Sequence, residues 1–292
     1  MAAAGFAILI WAGAAPGTRV VTGTIDPVTV GLLRTVGSGA AAAPLILLLR
    51  LKGPGNRREW LLLLLAGLGS FAAFPLLFSL GVSWTSASHA SFLQASIPIF
   101  TGLTAAVVER QRPHRLWWIG AAVALAGEAA LIAARDQPGV DTPTALGDLV
   151  VLTACVCSGA GYVAGARLAA RITPLAATFW VIAVSGLYLL PLLIWRSSAV
   201  DWAAISRPAW AIMAYLALGT NLTAFVAWYW ALSRGGISRV AVLQFGLPVL
   251  SVALAVWLLG ETVTPPLLVA GAAILAGIAL ARRGLDPGKR RG

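Results

Sequence analysis

Ten apolar stretches of about twenty residues follow one another along the 292-residue chain, near positions 4–21, 29–49, 60–80, 89–108, 116–134, 148–166, 175–195, 209–231, 238–259 and 265–281. A helix of that length crosses a hydrocarbon core of about 30 Å. Inside a bilayer every backbone amide and carbonyl must be bonded within the protein, so only helices and closed barrels span it. A barrel would show short strands alternating apolar and polar residues, whereas these stretches are continuous and rich in Ala, Leu and Gly. At 59% hydrophobic and 11% charged residues the composition is far from that of a water-soluble domain. The sequence predicts an all-α integral membrane protein with ten transmembrane helices.

The chain is also written twice. Residues 93–98 read LQASIP and residues 243–248 read LQFGLP, and Gly69-Ser70 with Gly219-Thr220 and Gly127 with Gly277 keep the same offset. Half of ten is five, an odd number, so the two copies enter the membrane from opposite sides and the repeat is inverted. Residues 1–137 form the first five-helix copy and residues 148–292 the second, which ends in a basic tail. Residues 138–147 link them, within a stretch from Arg135 to Gly147 that carries Asp136, Pro138, Gly139, Asp141 and Pro143. Inverted repeats are a common construction for carriers, because the halves can exchange conformations around one central site.

The net charge of +11 would suggest a nucleic-acid partner in a soluble protein. Here it sorts by side. With the N-terminus inside, the cytoplasmic connections hold sixteen of the 21 Lys and Arg residues, while the outer ones hold Arg135, Arg196 and Arg207. That is the positive-inside asymmetry, so both termini are expected in the cytoplasm of a multi-pass protein of the cytoplasmic membrane, with membrane lipid and no nucleic acid as partners. The first apolar stretch lacks a basic n-region and is read as a retained span, not a cleaved signal. Cys155 and Cys157 point about 200° apart on a helix and read as packing residues.

An early Trp11, the DPVTVGLLR segment opening the second span, prolines within the fourth and ninth spans (Pro98, Pro248) and the LLGE at 258–261 resemble the EamA-like carriers of the drug/metabolite transporter superfamily over nearly the whole chain. In the first copy Glu109 corresponds to Glu261 but follows Val-Val, and the glycine after the first-span Trp is displaced to Gly13. The resemblance implies export or exchange of amino acids, metabolites or drugs through a cavity lined chiefly by spans 1, 3, 4, 6, 8 and 9. It implies a small-molecule substrate, no cofactor, a proton or counter-substrate as coupling partner, and a monomer or homodimer.

Candidate solute contacts follow from depth and chemistry. Gln94 and Gln244 each lie one turn before a proline and offer both donor and acceptor, or else bond between helices. Asn221 is a neutral polar group at mid-depth. Trp11, Phe74, Tyr162 and Trp228 are rings for the cavity wall, and Arg19 is the candidate to meet an anionic group on a solute. Pro98 and Pro248 each remove a backbone donor and free a carbonyl one turn earlier, as hinges or static kinks. Arg34 and Glu128 lie at matching depths in spans 2 and 5, which predicts a buried ion pair, or a coupling carboxylate in Glu128 and a carboxylate anchor in Arg34.

Two other classes compete. An enzyme would need a nucleophile with a base or a metal centre, yet His89 and His114 fall far apart in the topology and no metal-ligand cluster is legible. A structural or sensory subunit would have little reason to keep neutral polar residues at mid-membrane. The sequence therefore predicts a secondary transporter, exporter or exchanger, for a small neutral or zwitterionic metabolite such as an amino acid, with efflux of amphipathic compounds as the alternative.

Overall fold

The computed structural model describes residues 2–110, 113–133, 144–235 and 246–283. Among these, nine helices are long and apolar enough to cross a membrane. They are Ala2–Thr22 (span 1), Pro27–Leu48 (span 2), Arg57–Trp84 (span 3), Ala87–Glu109 (span 4), Arg115–Ala133 (span 5), Ala145–Ala169 (span 6), Pro174–Ser197 (span 7), Arg207–Trp228 (span 8) and Pro265–Arg283 (span 10). The shorter apolar helix Gly246–Leu259 is the described part of span 9. No strand occurs among the described residues.

Local chemistry starts the helices. Asp26, Asn56, Ser86, Thr144, Thr173 and Ser206 each accept a hydrogen bond from the backbone N–H three residues on. Such caps satisfy an otherwise orphaned donor and are worth about 1 kcal/mol each. Spans 2 and 7 also open with proline, at Pro27 and Pro174, where the missing N–H is not needed.

Packing follows the duplication. Span 2 lies along span 7 and span 5 along span 10, while span 1 rests on spans 8 and 9 as span 6 rests on spans 3 and 4. Equivalent spans thus make equivalent contacts. At the two self-paired seams glycines let backbones touch: a Cβ on Gly39 would lie 2.8 Å from Gly186 Cα, and one on Gly186 would lie 2.9 Å from Gly39 Cα. A Cβ on Gly120 would fall 2.2 Å from Ala281 N, and one on Gly277 2.3 Å from Ala124 N. Lipid tails are as apolar as leucine, so close small-residue contacts of this kind, not hydrophobic burial, hold membrane helices together.

The repeated Gly-Ser and Gly-Thr landmarks mark a second feature. Leu68–Ala73 in span 3 and Tyr215–Thr223 in span 8 are π-helical. Gly69 sits against the Cys157 carbonyl and Gly161 of span 6, and Ser70 Oγ donates to Ser158 O at 3.4 Å. On the other side Trp11 Nε1 donates to Thr220 O at 2.9 Å, and the Tyr215 hydroxyl donates to Ile10 O. Span 1 breaks at Gly13, whose missing Cβ leaves room for that tyrosine. Span 4 breaks at Ala95-Ser96, immediately before Pro98.

Candidate functional site

Between the two copies lies a cavity of about 1170 Å³. Its mid-bundle wall holds Trp11, Arg34, Ser70, Phe71, Phe74, Tyr162, Thr220, Asn221, Phe225 and Trp228. From there it runs past Gln94, Pro98, Thr101 and Ala166 to Glu109, His114, Pro174 and Arg282, the ends of spans 4, 6, 7 and 10 that join the basic connections. Trp11 is the centre of a ring cluster, 5.2 Å from Phe225 and 5.5 Å from Trp228 between centroids, with Phe71 5.9 Å from Phe225.

Most of the residues picked from sequence line this space: Trp11, Phe74, Gln94, Tyr162, Asn221, Trp228, Pro98, Pro248 and Arg34. Gln244 lies outside the described residues. Arg19 is not on the wall; its Nη1 donates to the carbonyls of Val82 at 3.3 Å and Ser83 at 2.8 Å, tying the end of span 1 to the end of span 3. The lining also extends beyond spans 1, 3, 4, 6, 8 and 9, because Arg34 of span 2, Val181 of span 7 and Ile278 of span 10 reach it.

The structure does not bring Arg34 and Glu128 together. Arg34, 4% exposed, donates from Nε to Asn221 Oδ1 at 3.0 Å and from Nη2 to Thr220 Oγ1 at 3.1 Å, and Nη1 has no hydrogen-bond partner. Glu128, 1% exposed, faces a different part of the bundle, beside the Ser96 hydroxyl of span 4 and Cys155 of span 6. Matching depth in two helices fixes position along the membrane normal only; spans 2 and 5 pack on different partners.

At the end of the bundle opposite the mouth, polar contacts bind the spans. Gly260, with φ of +68°, ends span 9 in the left-handed conformation and turns Glu261 onto the start of span 4. There its carboxylate accepts from Ala87 N at 2.7 Å, Ser88 N at 2.9 Å and Ser88 Oγ at 2.5 Å. A carboxylate at a helix N-terminus is favoured by both the free amides and the helix dipole. Beside it, Asp148 of span 6 takes the Thr85 hydroxyl at 2.5 Å and lies 3.0 Å from His89 Nδ1. One layer deeper, Ser91 and Ser251 are 2.6 Å apart. Glu109, the first-copy counterpart of Glu261, stands at the mouth instead, 3.9 Å from Arg167 and 41% exposed.

The histidine–carboxylate pair was not legible from spacing, since 59 residues separate His89 from Asp148. The free neighbours needed to extend it into a metal centre are missing: among the described residues no three His, Cys, Asp or Glu side chains group together.

A duplicated helical bundle with a solute-sized cavity at the junction of its copies defines the class: a multi-pass integral membrane protein built like a carrier. The chain belongs to the EamA-like transporter family, which matches residues 1–133 and again residues 145–283. It is 32% identical over 94% of its length to an "Uncharacterized transporter YdeK" of Bacillus subtilis, itself 94% covered. It is 31% identical to a "Probable terminal-alkyne amino-acid exporter" of Streptantibioticus cattleyicolor, with 94% of this chain and 91% of that one aligned. A solved crystal structure, 24% identical, matches with a TM-score of 0.63 over 96% of both chains and shares the fold.

Proposed function

We propose that this protein is a secondary transporter of the cytoplasmic membrane, an exporter or exchanger that moves a small neutral or zwitterionic metabolite, an amino acid first, by alternating access. The observation that carries the reading is a cavity open at the basic end of the bundle and sealed at the other by the contacts around Glu261 and Asp148. By the positive-inside rule the open end faces the cytoplasm with both termini, so the chain stands in an inward-open arrangement. Pro98, next to the break in span 4, and its repeat counterpart Pro248 in span 9 are where the two halves of those spans would bend, and the exchange would place Glu109 in the role now held by Glu261.

The named amino-acid exporter among the relatives supports the substrate class, as do the neutral polar groups and rings on the wall. Coupling to a proton or to a counter-solute both fit the cycle. The test is counterflow in proteoliposomes across amino acids, purines, sugars and cationic dyes. Accumulation of labelled amino acids against preloaded unlabelled ones is the expected result. Flux confined to dyes would make it an amphipathic-compound efflux carrier, flux confined to phosphorylated sugars or multivalent anions would contradict the reading, and no flux at all would leave a structural or sensory subunit.

A further inference from the structure

We propose that Arg34 is the anion-recognition residue of the cavity and that the solute presents a single carboxylate to it. The proposal rests on the transporter reading above. A guanidinium keeps its charge in proteins, and inside a membrane an ionised side chain is held by partners or by function. Arg34 has neutral partners alone, Asn221 and Thr220, and no carboxylate stands within ion-pair distance of it among the described residues. Its Nη1 is left without a hydrogen bond beside a cavity large enough for a solute. A buried charge lacking its counter-charge is costly; an anion entering from the cavity supplies both the missing charge and the missing acceptor.

The two-fold architecture sharpens the assignment, because this is where the copies differ. With Pro27 aligned to Pro174 and Gly39 to Gly186, the place of Arg34 in span 2 is taken in span 7 by Val181, which also lines the cavity. Likewise Thr220-Asn221 of one π-helical segment stands opposite Ser70-Phe71 of the other. One wall is thus charged and hydrogen-bonding, and its symmetry mate is apolar and aromatic. Such a site orients a solute with an anionic end and an apolar body. Asn221 and Thr220 are positioning residues: they occupy Nε and Nη2, fixing the plane of the fork so that Nη1 remains for the ligand. A lone cation with one free nitrogen suits a monoanionic carboxylate better than a phosphate dianion, whose second charge would go unmatched at that depth.

The experiment is counterflow and competition by the wild-type protein, Arg34→Met and Arg34→Lys in proteoliposomes. The probes are leucine, phenylalanine, their amides, and 4-methylpentanoate, which keeps the carboxylate of leucine but not its ammonium group. In the wild type the acids, including 4-methylpentanoate, should compete at least tenfold better than the amides. Arg34→Met should retain its melting temperature within about 3 °C, abolish the preference for acids over amides, and weaken acid competition tenfold or more. Arg34→Lys, with charge but no fork, should fall between. Asn221→Ala should raise KM for acids while keeping the acid preference. Amides transported as well as acids by the wild type, or acid preference retained in Arg34→Met, overturns the inference and leaves the transporter reading standing. An Arg34→Met protein that folds only with large loss of stability assigns the arginine to structure instead. Absence of wild-type flux for every probe and for the wider screen overturns both.

Discussion

Replacing Glu261 by Gln should open the sealed end of the bundle. The carboxylate accepts three hydrogen bonds from the first residues of span 4, two from backbone amides and one from Ser88. The amide side chain keeps one oxygen acceptor, turns an NH2 toward donors, and loses the charge that favours a helix N-terminus. Hydrogen bonds to a charged group are worth about 1.5 to 3 kcal/mol each, but Glu261 is partly exposed and solvent screens it, so the net loss to the closed arrangement is set at about 2 kcal/mol. That corresponds to roughly a thirtyfold rise in the open population, at about 1.4 kcal/mol per factor of ten. Ser251, 4% exposed and bonded to Ser91 beneath the latch, is the reporter. In a chain with Cys155 and Cys157 replaced by Ala and Ser, the reaction of Ser251→Cys with an impermeant maleimide should accelerate about thirtyfold when Glu261→Gln is added. Glu109→Gln, at the open mouth, should change the rate less than twofold. An unchanged Ser251→Cys rate in the Glu261→Gln protein would refute the latch.

Glu128→Gln should not lower the melting temperature, because the carboxyl has no ion-pair partner to lose among the described residues and an amide can still pair with the Ser96 hydroxyl beside it; combined with Arg34→Met the two effects should add within about 0.5 kcal/mol, as for residues without shared partners. If pH-driven uptake disappears in this folded variant, Glu128 carries the coupling proton. Gly120→Val should destabilise the seam of spans 5 and 10 by about 3 kcal/mol through overpacking, since even a Cβ there meets Ala281 N at 2.2 Å; denaturation in detergent checks it, and a wild-type transition would contradict the packing. For orientation, Arg57→Cys should react in inverted vesicles and Ser198→Cys in intact cells, and the reverse pattern would turn the topology over.

The duplication, the helical bundle and most of the cavity wall were readable from the chain, because span length, repeat offset and depth from a helix end are one-dimensional quantities. The Gly69-Ser70 and Gly219-Thr220 landmarks even fell on the two π-helical segments, although nothing in their residue types announces i to i+5 bonding. What failed was azimuth. Arg34 and Glu128 share a depth yet turn to different neighbours, Arg34 to Thr220 and Asn221 and Glu128 to Ser96, and Arg19 turns to the carbonyls of Val82 and Ser83 instead of the cavity. The role of Glu261 in the LLGE motif, and the His89–Asp148 contact, depend on which helix ends meet in space; a charged residue just past Gly260 was the available signal for the first.

Alternating access is tested most directly by labelling both ends of the pathway with and without solute. Ala106→Cys on the cavity wall near the mouth and Ser251→Cys beneath the latch are each reacted with impermeant maleimide, from the cytoplasmic and outer sides respectively, before and after saturation with whichever amino acid counterflow identifies. The account predicts that Ala106→Cys reacts fast and Ser251→Cys slowly at rest, and that solute slows the first while accelerating the second. Rates that rise or fall together at both positions, or that ignore the solute, would contradict it.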